Sequence, residues 1–241
     1  MLMVTFRPVK NWLIPLLAIM IGSFVGFSFL PSHQEFDYHQ WIQRLNEFEQ
    51  KSYQFETNFV KDDTNVFESR GLWSSKHSQL SIKTPVSDGS SFNFNVYLEK
   101  KQFFIFSGNE WKVGEYPHRF MEELSPLDNP FNWSKELLKN AYKITRIKHG
   151  EQETFKAFFH LLPEIELNGI LLKKQKESSL TMVLEKGEIQ SIIFEATPLR
   201  PKEVPFLNSY PEKLNYHMDF TLYNGIFPQL PKEAYLGEPI D

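Results

Sequence analysis

The stretch FNFNVYLEKKQFFIFSGNEWKV, residues 92–113, decides the fold class. Phe92, Phe94, Val96 and Leu98 occupy every second position, with Asn93, Asn95 and Tyr97 between them. A period of two is the signature of a strand with one apolar face. Gln102–Phe106 reads as a second strand, and Ser107-Gly108-Asn109 turns it into a third at Glu110–Val113. Three short strands joined by tight turns make an antiparallel meander, one face buried and the other wet.

The same period extends in both directions. Upstream, Tyr53, Phe55, Thr57 and Phe59 alternate with polar residues, and Phe67–Ser75 and Gln79–Thr84 read as further strands. Asp88-Gly89 marks a turn. Downstream the pattern breaks at Pro117, Pro126 and Pro130. Asn129-Pro130 is a helix start, with Asn at the cap and Pro at the first helical position. Trp133, Leu137, Leu138 and Ala141 then form an apolar stripe. Strands resume at Lys143–Lys148 and Thr154–Leu161, around His149-Gly150. Glu164–Lys174 is ambiguous. Leu180–Glu185 and Glu188–Ala196 form a hairpin around Lys186-Gly187. Pro198–Pro211 is a proline-rich loop, and Lys213–Tyr223 is a last long strand ending at Asn224-Gly225.

The N-terminal part is of a different kind. Trp12–Leu30 is uncharged and almost wholly apolar. As a helix it would be about 28 Å long, close to the thickness of a hydrocarbon core. Arg7 and Lys10 precede it and no acidic residue appears before Glu35, so the positive-inside rule places the N-terminus in the cytoplasm and the bulk of the chain outside. The other reading is a cleaved signal peptide, for which Gly26-Phe27-Ser28 is a poor cleavage site. The expected organisation is a cytoplasmic tail at 1–11, a signal-anchor helix at 12–30, an amphipathic helix at 31–50 and an extracytoplasmic β-rich domain at 51–241, in a single-pass protein of the cell membrane. Ser32-His33-Gln34-Glu35 fits a capping box. Tyr38, Trp41, Ile42, Leu45 and Phe48 follow at helical spacing, so Gln34–Gln50 is expected to pack on the domain core; a stalk or membrane-surface helix is the other reading.

Composition narrows the function. There is no Cys, which excludes disulfides, thiolate-held metals, a thiol nucleophile and a lipid-modified cysteine. Residues 31–241 carry 24 Lys and Arg against 30 Asp and Glu, a formal charge of −6, which sets nucleic acid aside as a partner. Two local basic clusters, Lys173/Lys174/Lys176 and Lys139/Lys143/Arg146/Lys148, read as solvated faces. The seven histidines are scattered with no compact metal spacing. There is no nucleophile elbow and no glycine-rich phosphate loop. Asp62-Asp63, Glu122-Glu123 and Glu164/Glu166 read as surface charges, and the sequon Asn132-Trp133-Ser134 lies on the expected helix. No catalytic site, metal or cofactor is expected, and the chain is not read as an enzyme.

What remains is an aromatic apolar face, drawn from 23 Phe. Phe55, Phe59, Phe92, Phe94, Phe104, Phe106, Phe194 and Phe220, with Leu138 from the helix, are the candidate ligand-lining residues. They make either a solid core or an apolar cavity open to a long ligand.

The order of segments resembles the bacterial lipoprotein-carrier superfamily (LolA-like and LppX-like proteins). Phe67–Trp73 resembles its early strands, Val96–Lys112 its hairpin ending in a Trp, Pro130–Tyr142 its Leu-rich helix, and Tyr216–Pro231 its terminal strand running into a turn and a Pro. The likeness covers roughly residues 51–235 and rests on the order of the motifs. It implies an α+β fold in which a strongly curved antiparallel sheet forms a half-open barrel closed by a few helices around a hydrophobic cavity. This chain departs from the pattern by having no lipobox Cys and keeping a membrane helix, which is at odds with shuttling between membranes. The expectation is therefore a membrane-anchored, non-catalytic module that binds a lipid or other amphiphile. The alternative is an interaction module with a solid core, regulating a protein partner of the envelope or of sporulation.

Overall fold

The computed structural model describes residues 20, 32–86, 90–99, 101–160, 162, 165–167, 170–172, 175–199 and 211–240. The expected membrane span apart from Met20, the Asp88-Gly89 turn and most of the loop at 198–211 lie outside the described residues. No helix among the described residues is long and apolar enough to cross a membrane. The chain divides into two units, Met1–Phe36 and Asp37–Asp241, and the β-rich core belongs to the second.

Helix α1 (His33–Glu49) begins with the expected capping box. The Glu35 amide donates to Ser32 Oγ at 3.2 Å, and the Ser32 amide donates to Glu35 Oε2 at 2.7 Å. Its apolar stripe, Trp41, Leu45 and Phe48, is buried. Then come β1 (Tyr53–Lys61), β2 (Thr64–Trp73), β3 (Ser78–Pro85), β4 (Ser91–Leu98), β5 (Gln102–Ser107) and β6 (Glu110–Glu115). Helices α2 (Arg119–Leu124) and α3 (Pro130–Leu138) precede β7 (Lys143–His149), β8 (Gln152–Phe159), β9 (Ile165–Leu167), β10 (Ile170–Leu172), β11 (Gln175–Glu185), β12 (Glu188–Pro198) and β13 (Leu214–Leu222). A 3-10 turn at Lys232–Leu236 leads into β14 (Glu238–Pro239).

Twelve strands form one open sheet in the order β14-β6-β5-β4-β3-β2-β1-β13-β12-β11-β8-β7, antiparallel except for the short β14–β6 pair. β9 and β10 form a separate two-stranded ribbon from the described residues of the ambiguous stretch at 164–174. An α+β fold with one large, mostly antiparallel open sheet and few helices fits the half-open barrel implied by the resemblance. The first long strand, β1, pairs with the last, β13, at the middle of the sheet. β6 and β7 therefore lie at opposite ends, and the segment between them must traverse a face of the sheet. That segment carries α2 and α3, and it covers the inner face. Phe120 of α2 stacks on Phe103 of β5 with ring centroids 5.5 Å apart. Phe131 of α3 sits 4.9 Å from Trp73, 5.7 Å from Tyr53 and 5.4 Å from Phe220, over the central strands.

Turn chemistry sets the hairpins. Lys186 and Gly187, at φ +53° and +82°, join β11 to β12, and Gly108 and Asn109, at φ +58° and +69°, join β5 to β6. Two consecutive left-handed residues match the twist of the flanking strands. Asp62 and Asp63 adopt the same conformation between β1 and β2, at φ +48° and +62°. Asp62 is more than the plain surface charge expected of it. Its Oδ1 accepts from the amides of Glu212 and Lys213 at 2.7 and 2.8 Å, tying the turn to the start of β13. Gly71 allows β2 and β3 to come closer than side chains permit, since a Cβ there would sit 1.9 Å from the Gln79 carbonyl oxygen.

Candidate functional site

Strand register shows which side chains share the inner face. Directly paired residues on antiparallel strands point the same way. One row runs Phe220–Phe55–Gly71–Leu80–Val96–Ile105. Another runs Ile144–Ala157–Leu180–Phe194–Tyr216–Phe59–Phe67. Phe55, Phe59, Phe194 and Phe220 thus lie on one buried surface, and Leu138, the last residue of α3, is buried. Phe94 belongs to the same face and is half-buried against Phe120, with ring centroids 6.3 Å apart. Phe92 ends the row and is 54% exposed.

Phe104 and Phe106 do not line the interior, contrary to expectation. The pairing Leu98↔Phe103 and Val96↔Ile105 puts Phe103 and Ile105 inside and turns Phe104 and Phe106 to the opposite face. Phe104 is buried there beside Tyr235, with ring centroids 5.0 Å apart, and Phe106 lies 4.9 Å from Trp111. The run Phe103-Phe104-Ile105-Phe106 is apolar on both faces, so alternation alone does not orient it.

The covering elements fill much of the interior. Phe55 stacks on Phe220, and Trp133 meets Phe194 edge-on at 5.4 Å. Hollows of about 640 and 530 Å³ lie along the sheet, the first lined by polar residues and the second also by Tyr142, Phe158 and Phe159, and neither is lined by any of the nine candidates. Three side chains interrupt this aromatic surface at the centre of the sheet: Thr57, Ser69 and Tyr216, 5%, 4% and 0% exposed. Thr57 pairs directly with Ser69 across β1 and β2, and Tyr216 lies one residue pair along on β13. Their hydroxyls make no hydrogen bond, nor does the buried indole N–H of Trp133, whose ring centroid is 6.5 Å from that of Tyr216. Burial pushes the Tyr216 hydroxyl's pKa upward; the nearby Thr57 hydroxyl pulls the other way without reaching hydrogen-bond geometry, and the Asp128 carboxylate adds to the rise. Burial also raises the pKa of Asp128 itself, against two backbone amides that hold it down.

Thr57 and Ser69 stand in the apolar register of their strands, so a polar residue at an inward position was the available sequence signal. Trp133 was visible on the helix stripe. Their convergence on Tyr216 depends on the β1–β13 pairing.

The cover is clasped to α1. Glu49 accepts from Asn129 Nδ2 at 3.0 Å and from Lys135 Nζ at 2.6 Å. Burial opposes ionisation of Glu49, but the bonds from Asn129 and Lys135 prevail and lower its pKa. Asn129 also caps α3 through the Asn132 amide at 2.9 Å, and Trp73 Nε1 donates to the Asp128 carbonyl at 2.9 Å. Among the described residues no group of three or more His, Asp or Glu is placed to hold a metal.

No family model matches the chain, and no curated protein matches it. Among solved structures, LprF from Mycobacterium bovis is similar at 9% identity and a TM-score of 0.44, over 80% of this chain and 96% of that one. A LolA superfamily protein from Nitrosomonas europaea is similar at 9% identity and a TM-score of 0.31, over 82% of this chain and 96% of that one.

Proposed function

We propose that this chain is a non-catalytic, amphiphile-binding module held at the outer side of a cell membrane by a helix at residues 12–30. The observation that carries the binding reading is the set of unpartnered hydroxyls of Thr57, Ser69 and Tyr216 inside an aromatic surface. Native interiors leave few buried polar groups unsatisfied. A mostly apolar site with a small number of convergent polar groups is the usual make-up of a small-molecule site. The apolar tail of an amphiphile would replace ring contacts, and its polar end would take hydrogen bonds from the hydroxyls. Admission requires the α2–α3 cover to lift, and the half-buried Phe94 and Phe120 beside exposed Phe92 mark the side where the inner face reaches solvent. The anchor rests on the uncharged run Trp12–Leu30 and the flanking Arg7 and Lys10.

The test is direct. The full chain is purified in maltoside micelles and extracted with organic solvent, and the extract is analysed by mass spectrometry. A stoichiometric amphiphile, or saturable uptake of a fluorescent fatty-acid probe that Thr57→Val and Tyr216→Phe weaken, supports binding. No extracted lipid and no probe uptake would refute it and leave the solid-core interaction module. Resistance to alkaline extraction from membranes, with protease access from outside, checks the anchor.

A further inference from the structure

The tertiary structure draws together basic residues that are far apart in the sequence, on the outer face at the β7 end of the sheet. A hollow of about 530 Å³ there is lined by Lys156, Lys176, Lys213, Phe158, His160 and Tyr142, among others. Register places Lys143 opposite Phe158, and Phe158 opposite Ser179, on this face. The Lys143 and Lys156 ammonium groups lie 5.8 and 5.4 Å from the centroid of the Phe158 ring. Tyr142 and His160 stack nearly parallel beside it, 3.5 Å apart.

The charges are unevenly paired. Lys156 is 4.0 Å from Glu195, which also accepts from Ser179 Oγ at 3.4 Å. Lys176 and Lys213 have no ion-pair partner among the described residues; Glu177 shares the hollow with them, and the Asp62 carboxylate accepts from the Lys213 backbone amide at 2.8 Å without pairing with its ammonium group. A cationic surplus in a chain of net negative charge stands against the general field and is local by construction. Lysines act as point charges suited to phosphate, and the Phe158 ring beside Lys156 limits the freedom that this one side chain loses on binding.

We propose that this hollow binds a phosphate-bearing anion, with Lys156, Lys176 and Lys213 as its cationic contacts. The site is on the face opposite the aromatic interior and stands whether or not the interior takes an amphiphile. The phosphate is either a lipid headgroup or a free phosphate ester.

The full chain in maltoside micelles is titrated by calorimetry with inorganic phosphate, glycerol 3-phosphate and dihexanoyl phosphatidylglycerol in turn. The expected result is saturable binding that the double variant Lys176→Glu/Lys213→Glu weakens at least tenfold, while Lys232→Glu leaves it unchanged. Lys176→Gln/Lys213→Gln, which removes charge without adding any, gives a smaller loss in the same direction and guards against misfolding of the reversal. Binding confined to phosphatidylglycerol assigns a lipid headgroup; equal binding of glycerol 3-phosphate assigns a free phosphate ester. Absence of saturable binding by all three, or an equal loss with Lys232→Glu, overturns the site.

Discussion

Replacing Tyr216 by Phe should stabilise the protein while weakening amphiphile binding. The side chain is fully buried, its hydroxyl has no hydrogen-bond partner, and its ring packs against Phe59 and Trp133. The substitution keeps the ring and removes only the oxygen. A buried polar group left unpaired costs about 1–3 kcal/mol, so its deletion returns a gain of that order. For a domain of this size about 1 kcal/mol corresponds to about 2–4 °C in Tm. The assay is thermal unfolding of the full chain in maltoside micelles after delipidation, alongside probe uptake. Thr57→Val should act in the same direction, because it exchanges a second unpaired hydroxyl for a methyl group of similar shape. Opposite signs in the two measurements mark a site whose polar groups are kept for a ligand at the expense of stability. A loss of more than about 1 kcal/mol on Tyr216→Phe would show that the hydroxyl is already satisfied, by a buried water for instance. Tyr216 would then offer a ligand no unpaired group.

The packing predicts three further outcomes. Gly71→Ala drives a Cβ into the Gln79 backbone carbonyl, which has no rotamer to escape with, and should cost about 3 kcal/mol or more by urea denaturation. Phe131→Ala removes the ring shared by Phe48, Tyr53, Trp73 and Phe220, and should cost about 3–5 kcal/mol in the same assay. Because the pKa of Glu49 is lowered below its ordinary 4.5, its clasp contributes stability above that pH and loses it as pH falls through the lowered value. Glu49→Gln should therefore cost about 1 kcal/mol at neutral pH and flatten the acid limb of the stability profile; an unchanged acid limb would show that the clasp does not hold the cover.

Local signals in the sequence carried a large share of the architecture. Ser32 and Glu35 announce the start of α1, and Asn129-Pro130 announces α3, because a cap is a bond between residues three positions apart. Lys186-Gly187 and Gly108-Asn109 announce their hairpins for the same reason: the two residues that turn the chain must tolerate a left-handed backbone. Alternation oriented β1, β12 and β13 correctly, and Phe55, Phe59, Phe194 and Phe220 are where it puts them.

Long-range pairing settled what such signals leave open. Phe103-Phe104-Ile105-Phe106 is apolar at every position, and a shift of one residue exchanges its faces; the partner Leu98 chooses Phe103 for the interior. The meeting of β1 with β13 brings Thr57, Ser69 and Tyr216 together, although well over a hundred residues separate the first from the last. The placement of β6 and β7 at opposite ends obliges α2 and α3 to cross the inner face. The same folding gathers Lys156, Lys176 and Lys213 beside Phe158 on the far side. Caps, turns and alternation are energies of near neighbours and can be read along the chain. Register and strand order balance burial against loop closure over the whole domain, and no short window of sequence contains them.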